Sequence, residues 1–125
     1  MDLDKFGTSA DVQELLAIRD RIENLIDSGR DATPPKVDLL DLGDAFRVVV
    51  EVPGVDESDL ELALQGNTLV VAGLREPAAT EARILFSERQ TGHFQRSVEL
   101  PGAVDRERTS AHLQRGLLIV DLPKE

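Results

Sequence analysis

The stretch Phe46-Arg47-Val48-Val49-Val50-Glu51-Val52-Pro53-Gly54 decides how this chain folds. Side chains alternate across a strand, so Phe46, Val48, Val50 and Val52 fall on one face. Pro53-Gly54 then ends the strand, because neither residue favours continuing it. The same period of two recurs downstream. Leu60, Leu62 and Leu64 alternate with Glu61, Ala63 and Gln65 before Gly66-Asn67, and Leu69 to Leu74 is a mostly apolar strand. Phe94, Arg96, Val98 and Leu100 alternate with Gln95, Ser97 and Glu99 up to Pro101-Gly102. Ala111 and Leu113 open a short strand, and Leu117 to Leu122 closes the series before Pro123. Fainter strand patterns lie at Val37 to Leu42 and at Ile84 to Phe86. Short strands with Gly or Pro punctuation about every eight to twelve residues predict an all-β fold, an immunoglobulin-like antiparallel β-sandwich.

Upstream the period changes. Val12, Leu15, Leu16, Ile18, Ile22, Leu25 and Ile26 recur at spacings of three and four, with Gln13, Glu14, Asp20 and Glu23 between them. That spacing predicts an amphipathic helix of about four turns. Asp11 with Glu14 fits a capping box, and Gly29 offers a C-terminal stop. Pro34-Pro35 cannot continue a helix and favours extended backbone. The expected organisation is therefore a helical arm over residues 1–33 and a sandwich domain over residues 34–125.

Composition narrows the function. The 125 residues carry 14 Lys+Arg against 24 Asp+Glu, a net charge of −10. Aromatics are 3% with no Trp or Tyr, so the core must be aliphatic. An acidic chain without a basic block is a poor partner for nucleic acid or an anionic membrane. Zero Cys excludes disulfides and thiolate chemistry. No apolar run approaches the roughly 18 residues of a membrane span. The start, MDLDKFGTSADV, lacks the order of a secretion signal, so a cytoplasmic protein is expected. His93 and His112 are the two histidines, and nothing in the sequence brings them together with carboxylates as a zinc site. Asp38, Asp41 and Asp44, spaced by three, do not match a calcium loop. Ser87, Ser97 and Ser110 lack the context of a nucleophile elbow. The expectation is a non-enzyme that needs no metal and no cofactor.

Several blocks together resemble one family. They are Pro35-Lys36-Val37-Asp38, Val50-Glu51-Val52-Pro53-Gly54-Val55, and Asn67-Thr68-Leu69-Val70-Val71-Ala72-Gly73. Gly92-His93-Phe94-Gln95-Arg96-Ser97-Val98-Glu99-Leu100-Pro101 follows, and then Ala111-His112-Leu113-Gln114-Arg115-Gly116-Leu117-Leu118 with Leu122-Pro123-Lys124. In this order they resemble the α-crystallin domain of small heat-shock proteins of bacterial type, over about residues 35–124. Val98 stands where the family prefers Phe, and Leu74 interrupts its Gly-Glu-Arg. No Ile-x-Ile anchor follows Pro123, and Ile119-Val120-Asp121 belongs to the last strand.

The resemblance implies a holdase that binds partly unfolded proteins without ATP and hands them to ATP-dependent refolding chaperones. Client contacts are expected at Val12, Leu15, Ile22 and Leu25 on the arm; the equal alternative is that the arm packs on its own sandwich or on a partner helix. The resemblance adds a groove between the strands bearing Leu60, Leu62, Leu64 and Leu113; from the residues alone these leucines read equally well as core. A homodimer contact is expected where Arg83, Ile84, Leu85 and Phe86 pair with a partner's first strand near Val37 and Leu39. Arg96 matches the family's recurrent arginine at that contact. Without a tail anchor, a dimer is the expected main species. The competing reading is a non-catalytic co-chaperone or interaction module on the same sandwich. A small hydrolase is disfavoured for want of catalytic residues.

Overall fold

A computed structural model describes residues 13–14, 18–19, 33–77 and 81–125. In chain order the strands are β1 (Gln13–Glu14), β2 (Ile18–Arg19), β3 (Val37–Asp41), β4 (Ala45–Glu51) and β5 (Leu60–Gln65). They continue as β6 (Thr68–Arg75), β7 (Gly92–Glu99), β8 (Ser110–Gln114) and β9 (Leu117–Pro123). One sheet has the order β1-β8-β9-β4-β3 and the other β2-β5-β6-β7. Every pairing is antiparallel except β2 on β5, which is parallel.

The alternation read at Phe46–Val52 now has its physical meaning. Phe46, Val48, Val50 and Val52 are all 5% exposed or less and pack with Leu118, Val120 and Leu122 of β9. From the other sheet, Leu62, Leu64, Leu69, Val71, Phe94 and Val98 complete the same cluster. The core is aliphatic apart from two phenylalanines. Val98, the departure from the family's Phe, is one of its buried members.

Two glycines explain two of the sequence blocks. Gly73 lies opposite Phe94 in the β6–β7 register. A Cβ there would stand 2.6 Å from the Phe94 ring and 2.7 Å from the Asp59 carbonyl oxygen. Only a bare backbone fits. Gln114 and Leu117 close the β8–β9 hairpin over Arg115 and Gly116, which both have positive φ (53° and 77°). Positive φ at both loop positions is the type I′ geometry that matches strand twist, and Gly is favoured there. The Gly116 carbonyl also accepts a 2.8 Å bond from the Val52 amide, tying the hairpin to the end of β4.

On the face of β4 away from the core, Arg47 stands opposite Asp121 of β9. Its Nε and Nη2 donate to the two carboxylate oxygens at 2.6 and 2.9 Å. Arg47 is 2% exposed and Asp121 24%, so this bidentate pair is only partly open to water.

One expectation needs correction. A continuous helix over Val12–Ile26 would require Gln13–Glu14 and Ile18–Arg19 to be helical. Both pairs are instead extended, because the edges of β8 and β5 supply backbone partners that outweigh local propensity. The rest of that stretch lies outside the described residues. Ile84–Phe86, expected to pair on a partner, pairs with no described strand of its own chain.

Gly73→Ala should lower unfolding free energy by about 2 kcal/mol, the cost of overpacking against backbone. Gly102 has ordinary φ and open space around it, so Gly102→Ala should be neutral or slightly stabilising. Urea unfolding of the two variants measures the contrast.

Candidate functional site at the sheet edges

A sandwich that does not close leaves edge strands whose outer N–H and C=O groups lack ladder partners, and these are templates for other strands. The four outermost strands here are β1 and β3 in one sheet, and β2 and β7 in the other. Inside β1 and β2 lie β8 and β5, the strands that carry Leu113 and Leu60–Leu64.

The leucines that sequence left undivided between core and groove are now placed. Leu62 is 2% exposed, Leu64 4% and Leu113 7%, all within the main cluster, and Leu60 is half-buried against it. They come from β5 and β8, which belong to opposite sheets. Val12, Leu15, Ile22 and Leu25 lie outside the described residues.

At the other side of the molecule, β3 carries Val37, half-buried against the core, and Leu39, 39% exposed. The segment 81–90 is exposed throughout, Arg83 included. Ile84, Leu85 and Phe86 reach 55%, 79% and 81% exposure. Among the described residues these three and Leu39 are the exposed large hydrophobics. Three consecutive uncovered apolar side chains are an unsatisfied surface, not scatter. The segment's return end lies near the domain's entry, where the Thr33 amide donates to Gln90 Oε1 at 3.2 Å.

Arg96 sits between Phe94 and Val98 on β7, half-buried. Its Nη1 points to the Pro35 carbonyl at 3.4 Å, reaching from the edge of one sheet to the chain entering β3 of the other. The β3–β4 turn is fixed by Asp41, whose Oδ1 accepts from Lys124 Nζ at 2.9 Å and from the Gly43 amide at 2.9 Å. The Lys124 ammonium, and after it the Gly43 N–H, hold the Asp41 carboxyl below its ordinary value. A lowered carboxyl stabilises the fold above its unfolded pKa, and that contribution fades as pH falls through the folded value. Because Asp41 is open to water, the effect is small. Lys124 also lies 4.8 Å over the Phe46 ring, so the end of β9 is pinned beside the start of β4.

Chemistry of other kinds has no assembled site in what is described. His93 and His112 belong to different sheets. Among the described residues no three His, Asp or Glu side chains gather to hold a metal ion. No helix among them is long and apolar enough to cross a membrane. Sequence reasoning missed two features here, the Arg47–Asp121 pair and the strands β1 and β2. An arginine inside the apolar run Phe46–Val50 was the one available signal for the first.

With the geometry in view, comparison with known proteins places the chain. Residues 38–125 match the Hsp20/alpha crystallin family, and the chain belongs to it. It is 34% identical over 94 residues to heat shock protein 16 of Schizosaccharomyces pombe, covering 72% of this chain and 66% of that protein. It is 36% identical over 98 residues to spore protein SP21 of Stigmatella aurantiaca, covering 77% of this chain and 58% of that one. The solved structure of heat shock protein 16.0 from S. pombe superposes with a TM-score of 0.68 at 32% identity, over 74% of this chain and 87% of that chain. The chain thus spans a little under two thirds of the length of these curated relatives.

Proposed function

We propose that this chain is a holdase chaperone, which binds partly unfolded proteins without ATP and keeps them from aggregating. Family membership over residues 38–125 is the observation that carries the reading. The physics of the molecule agrees with it. An aggregating protein exposes apolar segments and strand-forming backbone, and a sandwich with open edges offers complementary partners for both. A net charge of −10 keeps a loaded complex in solution. The action needs no catalytic group, metal or cofactor. Release to ATP-dependent refolding chaperones is the natural next step for a protein held without turnover.

The assembly unit of this reading is a homodimer. Arg83–Phe86 of one protomer adds a strand to β3 of its partner, near Val37 and Leu39, with Arg96 close by. Support comes from exposure: among the described residues, the large apolar side chains left uncovered are those at this contact. A two-fold exchange uses each edge once and closes.

Light scattering from a heat-labile protein tests the function. Near-stoichiometric chain should suppress the rise without nucleotide, and an unchanged rise at several-fold molar excess would reject the reading. Ile84→Pro tests the dimer, because it removes a ladder donor from the added strand. The variant should keep its β-sheet circular dichroism and halve its mass in solution; a folded variant of unchanged mass would put the contact elsewhere.

A further inference from the structure

β7 is eight residues long, the longest of the four outermost strands; β3 has five residues, and β1 and β2 two each. Its register with β6 runs unbroken from Gly92 to Glu99, so no bulge turns this edge away. It contains neither Lys nor Pro, the residues that commonly defend an edge. One bond gives the phase of the ladder. The Leu100 amide donates to the Asn67 carbonyl at 2.7 Å, directly beyond the Thr68–Glu99 pair. Bonded and non-bonded pairs alternate in an antiparallel ladder, so Val98, Arg96 and Phe94 bond to β6. His93, Gln95, Ser97 and Glu99 then turn their N–H and C=O groups outward. Among the described residues, no backbone group bonds to β7 from any strand but β6. The chain entering β3 passes close by, yet it bonds the side chains of Arg96 and Gln90 and not the backbone of β7.

We propose that the outer edge of β7 is a client site, where one extended segment of a partly unfolded protein adds as a further strand of the four-stranded sheet. The identity of that occupant rests on the holdase reading; the open edge does not. Outward N–H and C=O groups supply main-chain bonds that any sequence can make, and side chains opposite set the preference. Phe94 and Val98 are buried on the core side, with Arg96 half-buried between them. Gln95, Ser97 and Glu99 are exposed on the other face, beside half-buried His93. An added strand shares these faces residue by residue. It needs apolar residues opposite Phe94 and Val98, and polar ones opposite Gln95 and Ser97. The substrate class is therefore a segment of alternating apolar and polar residues, the pattern of a strand released from another protein's sheet. A second copy of this chain suits the edge poorly. The two-fold register that pairs all four outward residues, His93 with Glu99 and Gln95 with Ser97, sets Arg96 against its own counterpart, like charge opposite like charge. Each copy also carries a net charge of −10.

Site-resolved amide exchange on the unaltered chain reads the edge directly. The probe is an end-blocked synthetic peptide that alternates valine with threonine and lysine. At saturation it should slow exchange about tenfold at His93, Gln95, Ser97 and Glu99. Phe94, Arg96 and Val98, already bonded to β6, should change little. A peptide of the same composition with its valines consecutive should bind about ten times more weakly. Protection spread evenly along β7, found on β3 instead, or absent overturns the proposal, and equal binding of both peptides overturns the substrate class. Protection of the four amides that rises with chain concentration and needs no peptide gives the edge to a second copy, which overturns it too. Ser97→Pro removes an outward donor and spares the β6 ladder, so the variant should fold and bind the peptide about ten times more weakly. If it unfolds, Gln95→Lys with Ser97→Lys defends the same edge with charge and should show the same loss. Full binding by a folded variant overturns the site. A chain that binds peptide here but leaves aggregation unchanged loses the holdase reading alone. A chain that suppresses aggregation with these amides unprotected loses this inference alone.

Discussion

Backbone hydrogen bonds at the sheet edges are the constraint on which this molecule turns. Within the sheets every strand finds partners on both sides, but an open sandwich must end somewhere, and its last strands carry groups that demand pairing. The described strands meet that demand unevenly. The β8 and β5 rims are met by β1 and β2 from the chain's own arm. β3 has β4 on one side and an open edge on the other. Ile84–Phe86 and Leu39 leave apolar side chains uncovered.

Edges can be used this way only if the body between them is rigid. That rigidity comes from an aliphatic cluster shared by both sheets, closed where Phe94 lies against the bare backbone of Gly73. On the outer face the bidentate Arg47–Asp121 pair joins β4 to β9 at the middle of the larger sheet. Removing one member of such a pair costs far more than the pair contributes over an apolar substitute.

The sandwich was legible in the sequence because burial on one face writes a period of two, as at Phe46, Val48, Val50 and Val52. Turn chemistry at Pro53-Gly54, Gly66-Asn67 and Pro101-Gly102 marked the breaks. Arg47 was harder. Alternation reads it as solvated, and its partner lies 74 residues away, at a register no local pattern reveals. The arm misled for a related reason. Leu15, Leu16, Ile18 and Ile22 follow helical spacing, yet a strand of two residues on a waiting edge needs no alternation of its own. Leu62 and Leu113 could be divided between core and groove only once the two sheets faced each other.

Amide hydrogen exchange, compared with and without a heat-unfolded protein, tests the idea that edges do the binding. Client should change exchange at the outermost strands β1, β2, β3 and β7, while β4, β6 and β9 keep their protection. Unchanged exchange at all four outer strands, or deprotection through β4 and β9, would contradict it and place client binding in an opened core.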